Sequence, residues 1–262
     1  MSERGRLFEA MNRIVAIIPA RYASTRFPGK PLVDIAGKSM IRRVYERVSA
    51  ADVDEVWVAT DDRRILDHVQ SWGGRVMMTS THHQSGTERC AEAVARLHPQ
   101  PDLVLNVQGD EPFIRKGHLS ALIACFDDPQ VQIASLMKPI ATLAELNSPH
   151  LPKVIVNRQR DALYFSRQAV PFVRDQPVEE WLSRHTFYKH IGLYAFRSAV
   201  LETIVKLPPT PLELAEKLEQ LRWLEHGYRI RMAITDIEQF AIDTPEDLQR
   251  CLEILDKLEN NI

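Results

Sequence analysis

The run Ile14-Val-Ala-Ile-Ile18 contains no polar residue. A strand that is apolar on both faces must be covered on both, as happens in parallel sheets flanked by helices. The pattern recurs along the chain. Segments 56–59, 75–78, 103–107 and 132–137 read as further strands. Segment 39–50 places Met40, Val44 and Val48 on one helical face. Asp61 and Asp62 suit the start of a second helix, and Gly73 and Gly74 its stop. Ser85-Gly-Thr-Glu88 has the capping-box pattern and opens a helix to about Leu97; another helix is expected over 116–126. This alternation predicts an α/β fold with a mostly parallel sheet and helices on both faces.

The rhythm breaks over 141–196. Pro149, Pro152, Pro171 and Pro177 punctuate that stretch, and it is dense in aromatics, from Tyr164 and Phe165 to Tyr194 and Phe196. It reads as an antiparallel excursion of the kind that supplies an acceptor pocket, a dimer surface or both. Order returns with a helix expected over 211–226, buried along Leu214, Leu218 and Leu221 and stopped by Gly227. A strand over 229–234 follows. A last helix starts at Thr244, with proline at its first position. The expected organisation is one domain over 13–258, with 141–196 as an insertion and 1–12 as a flexible extension.

In open parallel sheets, ligands bind beyond the carboxyl ends of the strands. Two chemically loaded loops fall there. The first carries Arg21, Ser24, Thr25, Arg26, Gly29 and Lys30. Cations, hydroxyls and a permissive glycine suit a polyanion, most simply a nucleoside triphosphate, although a solvated surface loop has the same composition. It is not a P-loop, because Pro31 stands where Ser or Thr would bind magnesium, and no G-x-G-x-x-G supports a dinucleotide. The second loop is Gln108-Gly-Asp-Glu-Pro112. Asp110 is placed to anchor a divalent cation, or is simply a turn aspartate. The helix start at 82–89 could hold an anion or a pyrimidine edge, or be capping alone. Asp243 by its local pattern reads as part of an ordinary helix start. Arg167 could hold a carboxylate through a bidentate fork, or be a surface residue.

With charged residues at 26% and a net charge of -2, nothing suggests a nucleic-acid or membrane partner. The three scattered cysteines, Cys90, Cys125 and Cys251, suit a reducing compartment rather than a disulfide frame. No apolar run approaches the roughly 20 residues of a membrane span. Residues 1–12 lack the apolar core of a signal peptide, so a cytoplasmic protein is expected.

The string Pro19-Ala-Arg-Tyr-Ala-Ser-Thr-Arg-Phe-Pro-Gly-Lys-Pro-Leu32 resembles the signature loop of cytidylyltransferases that activate acidic sugars, above all the 3-deoxy-manno-octulosonate (Kdo) cytidylyltransferases. His83-Gln-Ser-Gly-Thr87, Gln108-Gly-Asp110, Ala162-Leu-Tyr-Phe-Ser-Arg167, Glu219-Gln220 and Asp243-Thr-Pro-Glu-Asp-Leu248 match further family segments in order. The resemblance implies a three-layer α/β/α nucleotide-diphospho-sugar transferase fold and transfer of CMP from CTP to Kdo. It implies Mg2+ on Asp110 and Asp243, with Arg21 and Lys30 joining them in catalysis. Ser24, Arg26, His83, Ser85, Gly86 and Gln108 would complete the nucleotide site. Arg167, His190, Tyr194, Glu219 and Gln220 would bind the sugar. CTP is expected to be much preferred over UTP, and the protein to be a homodimer. The chain departs from the family just before Asp243, where Gln239-Phe-Ala-Ile242 replaces glycines. Related amino-sugar enzymes share that departure, so the 8-amino analogue of Kdo, or another acidic sugar, is the alternative acceptor. A catalytically silent nucleotide-binding protein is the reading from outside the enzyme class.

Overall fold

The structure, a computed structural model, describes residues 13–23, 27–238 and 240–255. The expectations for residues 1–12, Ser24 and Arg26 lie outside the described residues. The chain forms two compact units. One holds the residues up to Ser120, Phe196–Val205 and the chain from Glu238; the other holds Ala121–Ala195 and Lys206–Ile237.

In the first unit, β1 (Ile14–Ala20) lies centrally among strands that all run parallel to it. A short hairpin, β2 (Asp34–Ile35) and β3 (Lys38–Ser39), follows it. Then come β4 (Glu55–Thr60), β5 (Val76–Met78) and β6 (Leu103–Asn106). β4 pairs with β1 from Val15↔Glu55 to Ala20↔Thr60, and β6 pairs on the other side from Ile14↔Leu103 to Ile17↔Asn106. β5 extends the sheet beyond β4. Val15, Ile17, Ile18, Leu103, Val104 and Leu105 are fully buried. Burying each such side chain stabilises by roughly 1.5–3 kcal/mol, which is why these positions are apolar.

The helices begin where the sequence places caps. Ser39 accepts from Arg42 N ahead of helix Met40–Ser49, and Asp62 from Arg64 N ahead of Arg63–Ser71. Ser85 accepts from Glu88 N ahead of Gly86–Ala95. The expected box there is not reciprocal, because the Glu88 carboxylate takes the N–H of Gln84 instead. Before Pro245–Glu253, by contrast, Thr244 and Asp247 cap each other reciprocally.

In the second unit, β7 (Ile133–Pro139) pairs in parallel with β11 (Ile230–Ile234). The antiparallel excursion is a hairpin of β8 (Lys153–Val156) and β9 (Ala162–Ser166), with β10 (Tyr188–Arg197) against β8. Its aromatics build a local core, with Trp181 stacked on Phe187 at 6.1 Å and 9°.

The expected helix 211–226 is two helices, Pro211–Glu216 and Gln220–Glu225. Lys217 between them is left-handed (φ 54), and Leu214 is 55% exposed rather than buried. The physical reason lies far away in sequence. Arg167 Nε donates to the Glu216 carbonyl at 2.7 Å and Arg167 Nη2 to the Lys217 carbonyl at 3.3 Å. The break is thereby satisfied by a side chain from β9's end.

All three cysteines are free. Among the described residues, no helix is long and apolar enough to cross a membrane.

Candidate active site

The site in the first unit grows from the carboxyl ends of β1 and β6. Val107 N extends the ladder to Ile17 O, and the chain then turns through Gln108, Gly109 and Asp110. A Cβ on Gly109 would lie 3.0 Å from the Pro19 carbonyl oxygen. Glycine therefore lets this turn rest directly on the end of β1. The Asp110 carbonyl then accepts from Ile242 N at 3.1 Å, which lashes the segment carrying Asp243 to the turn.

Phe240 and Ile242, where glycines were expected from the resemblance, act as apolar anchors. Ile242 is fully buried in a cluster with Ile35, Met40, Phe113 and Cys251, and Phe240 meets Phe113 edge-on at 6.2 Å. Asp247 then fixes the next residues: its carboxylate accepts from the N–H groups of Asp243 (3.1 Å) and Thr244 (3.0 Å).

Lys30 closes the constellation. It follows Gly29, which is left-handed (φ 73) and donates its N–H to Tyr22 O. Lys30 Nζ lies 2.8 Å from Asp110 Oδ2 and 3.0 Å from Asp243 Oδ1. Burial works against the ammonium, but the charges and hydrogen bonds of Asp110 and Asp243 outweigh it and hold its pKa above the ordinary lysine value. Two carboxylates thus share one cation.

An open cavity of about 200 Å³ spreads from this point. Arg21, Lys30, His83, Ser85, Gly86, Gln108, Asp110 and Asp243 all line it, so the sequence candidates that can be described in this unit share one surface. The N-terminus of helix Gly86–Ala95 opens into it, and the positive end of the helix dipole favours an anion there. A Cβ on Gly86 would sit 3.2 Å from Pro19 Cγ, so the helix end lies tight against β1. His83 bonds the Glu92 carboxylate through Nε2, and Glu92 also takes the N–H of Ser80 at 2.8 Å.

Arg89, absent from the sequence candidates, also lines the cavity and is only 4% exposed. It donates to Thr79 Oγ1 at 2.6 Å and pairs with Asp61 at 2.7 Å. The available signal was the acidic pair Asp61-Asp62 after β4, which read only as a helix start. No group of three or more His, Cys, Asp or Glu residues that could cage a metal occurs among the described residues.

The sugar candidates lie in the second unit. His190 Nε2 is 2.8 Å from Ser135 Oγ, and His190 Nδ1 is 3.4 Å from Gln220 Nε2. The imidazole meets Phe165 edge-on at 4.9 Å and Tyr194 at 5.5 Å. Burial pushes its pKa down to about 3, so it is neutral near pH 7. Burial, then the Glu219 charge, raises Tyr194 well above the ordinary tyrosine value. Gln220, expected on an exposed face or in a pocket, is 4% exposed.

Arg167 stands in a separate bracket of backbone carbonyls. Besides Glu216 and Lys217 it donates to Pro149 O at 2.9 Å, while its own N–H goes to the Glu216 carboxylate at 3.0 Å. Five guanidinium N–H groups less three such bonds leave two for a ligand.

The family profile described as "Cytidylyltransferase" matches residues 15–237. A 3-deoxy-manno-octulosonate cytidylyltransferase of Phocaeicola vulgatus is 54% identical over 250 residues, covering 94% of this chain and 99% of that protein. One from Geobacter metallireducens is 47% identical over 254 residues, covering 94% and 99%. A solved structure of CMP:2-keto-3-deoxy-manno-octonic acid synthetase complexed with CTP superposes with a TM-score of 0.87 at 41% identity, covering 94% of this chain and 99% of that one. A 4-diphosphocytidyl-2C-methyl-D-erythritol synthase from Anaerococcus prevotii shares the fold at 14% identity, with a TM-score of 0.60 over 93% of this chain and 98% of that one. The chain belongs to the cytidylyltransferase family, within its 3-deoxy-manno-octulosonate cytidylyltransferase branch.

Proposed function

We propose that the protein transfers CMP from CTP to the anomeric hydroxyl of Kdo. The hydroxyl loses its proton and attacks the α-phosphorus in line; the bond to the bridging oxygen breaks and pyrophosphate leaves. The reading rests most on the shared placement of Lys30, Asp110 and Asp243 at the ends of β1 and β6. No covalent intermediate is invoked: among the described residues of the cavity, His83 is engaged with Glu92 and Ser85 caps Glu88 N, so the two do not form a nucleophile–base pair.

The donor set fits Mg2+. Two carboxylates already converge on one cation, and Mg2+ binds through one or two carboxylates together with substrate phosphates. Asp110 and Asp243 would hold it, and it would supply charge neutralisation on the phosphates. Lys30 and Arg21 place further positive charge where negative charge grows. Ser85, Gly86, His83 and Gln108 face the base and ribose in this account. Arg167, His190, Tyr194, Glu219 and Gln220 bind the sugar.

The excursion's surface suits a homodimer: Phe172 is 74% and Val178 39% exposed, with Phe172 edge-on to Trp181 at 5.1 Å. Free buried thiols at Cys90 and Cys251 suit the cytoplasm. The test is steady-state pyrophosphate release with CTP or UTP against a panel of acidic sugars. CTP with Kdo should give the highest kcat/KM. Equal rates with UTP, or a preference for the 8-amino analogue over Kdo, would overturn the assignment.

A further inference from the structure

Ser135 belongs to none of the motifs above, yet its hydroxyl has three polar neighbours beside the sugar candidates. It is fully buried on β7. Its Oγ lies 2.9 Å from Leu193 O, 3.2 Å from Ile191 O and 2.8 Å from His190 Nε2. A hydroxyl has one hydrogen to give, and carbonyl oxygens can only accept. Two carbonyls this close leave two repulsive oxygen pairs unless the hydrogen points at them. Ser135 therefore donates to a carbonyl and accepts from His190, which places the imidazole hydrogen on Nε2.

The other end of the ring has the matching arrangement. Gln220 turns its amide nitrogen, a donor only, toward His190 Nδ1. Nδ1 must then be the acceptor, as it is in the same tautomer. Burial keeps the ring neutral, with its pKa near about 3, so it has a single N–H to place.

We infer that Ser135 is a positioning residue for the acceptor sugar: by fixing the Nε2–H tautomer of His190 it fixes the Gln220 amide with its oxygen, not its nitrogen, turned to the sugar. Gln220 then offers a hydrogen-bond acceptor to a sugar hydroxyl. Without the Ser135 oxygen, the ring is free to carry its hydrogen on Nδ1. The amide then gains by flipping, which presents a donor in place of the acceptor. The inference rests on the reading that Gln220 belongs to the sugar side.

The test combines spectroscopy with kinetics. In 15N-histidine-labelled wild type, His190 should show a pyrrole-like shift at Nε2 and a pyridine-like shift at Nδ1. Ser135→Ala, which removes one oxygen without adding bulk, should shift that balance. It should also raise KM for Kdo about 3- to 10-fold, the effect of one hydrogen bond, with KM for CTP unchanged. Ser135→Thr should restore both. A wild-type Nδ1–H tautomer overturns the inference, as does an unmoved KM for Kdo in Ser135→Ala when Gln220→Ala raises it. If Gln220→Ala itself leaves KM for Kdo unchanged, the sugar-side assignment of Gln220 fails and the inference falls with it.

Discussion

Gly109→Ala tests how closely the two strand ends must meet. The new Cβ would lie 3.0 Å from the Pro19 carbonyl oxygen, 3.6 Å from Ile41 Cδ1 and 3.7 Å from Ile18 Cγ2. The two hydrocarbon contacts are ordinary, but the oxygen contact is not. Carbon and carbonyl oxygen settle at about 3.3–3.6 Å, so roughly 0.3–0.6 Å must be found. Pro19 cannot retreat, because β1 is held in register with β4 at Pro19↔Ala59. The Gln108–Asp110 turn must move instead, drawing Asp110 from the 2.8 Å contact with Lys30. Misplacement by about 1 Å can cost about 100-fold in rate. Scaled to this shift, kcat should fall about 4- to 16-fold. Overpacking costs about 1–3 kcal/mol, offset by about 0.4–1 kcal/mol from a stiffer unfolded chain. Pyrophosphate release at saturating CTP and Kdo, alongside a thermal melt, measures both effects. A folded Gly109→Ala enzyme with wild-type kcat would show that the placement of Asp110 against Lys30 does not govern the rate.

Asp247→Ala should cost about 1 kcal/mol of stability as a lost helix cap, and should also lower kcat, because the Asp243 N–H loses its acceptor; unchanged kcat in that variant would separate the cap from the site. Lys30 titrates above its ordinary value in the folded protein, so its ion pairs stabilise fully below the unfolded lysine pKa and are lost as pH rises through the folded one. The difference in Tm between wild type and Lys30→Met should therefore hold from pH 7 to about 10 and shrink above that; a difference that shrinks toward acid well above the carboxylate range would contradict the pairing. Light scattering at micromolar concentration should give twice the 30.0 kDa chain mass, and Phe172→Glu should reduce it; a wild-type monomer would remove the excursion as a dimer surface.

Much of this was readable from local pattern. The apolar run at Ile14 placed β1, Asp110 fell just beyond a strand, and Ser85 and Thr244 marked helix starts, because burial periodicity and capping act over a few residues. What remained hidden depends on distant partners. Lys30 meets Asp110 across 80 positions and Asp243 across 213. The break at Lys217 is held by Arg167, and the buried charge of Arg89 is matched by Asp61. The stripe of Leu214, Leu218 and Leu221 had the right period for a single helix, and tertiary hydrogen bonds overrode it. Phe240 and Ile242 read only as a departure from the family's glycines, whereas their packing against Phe113 and its neighbours carries Asp243 to Asp110.

The central claim is that Asp110 and Asp243, gathered by Lys30, form the site of CMP transfer. The most direct measurement is pyrophosphate release from CTP and Kdo with Mg2+, comparing wild type with Asp110→Asn, which is nearly isosteric. The account predicts one CMP-Kdo per pyrophosphate in the wild type, and a folded variant slower by about 100- to 1,000-fold, the effect of removing one charge-stabilising group from such a site. Near-wild-type turnover in folded Asp110→Asn, or no release from CTP and Kdo by the wild type, would contradict it.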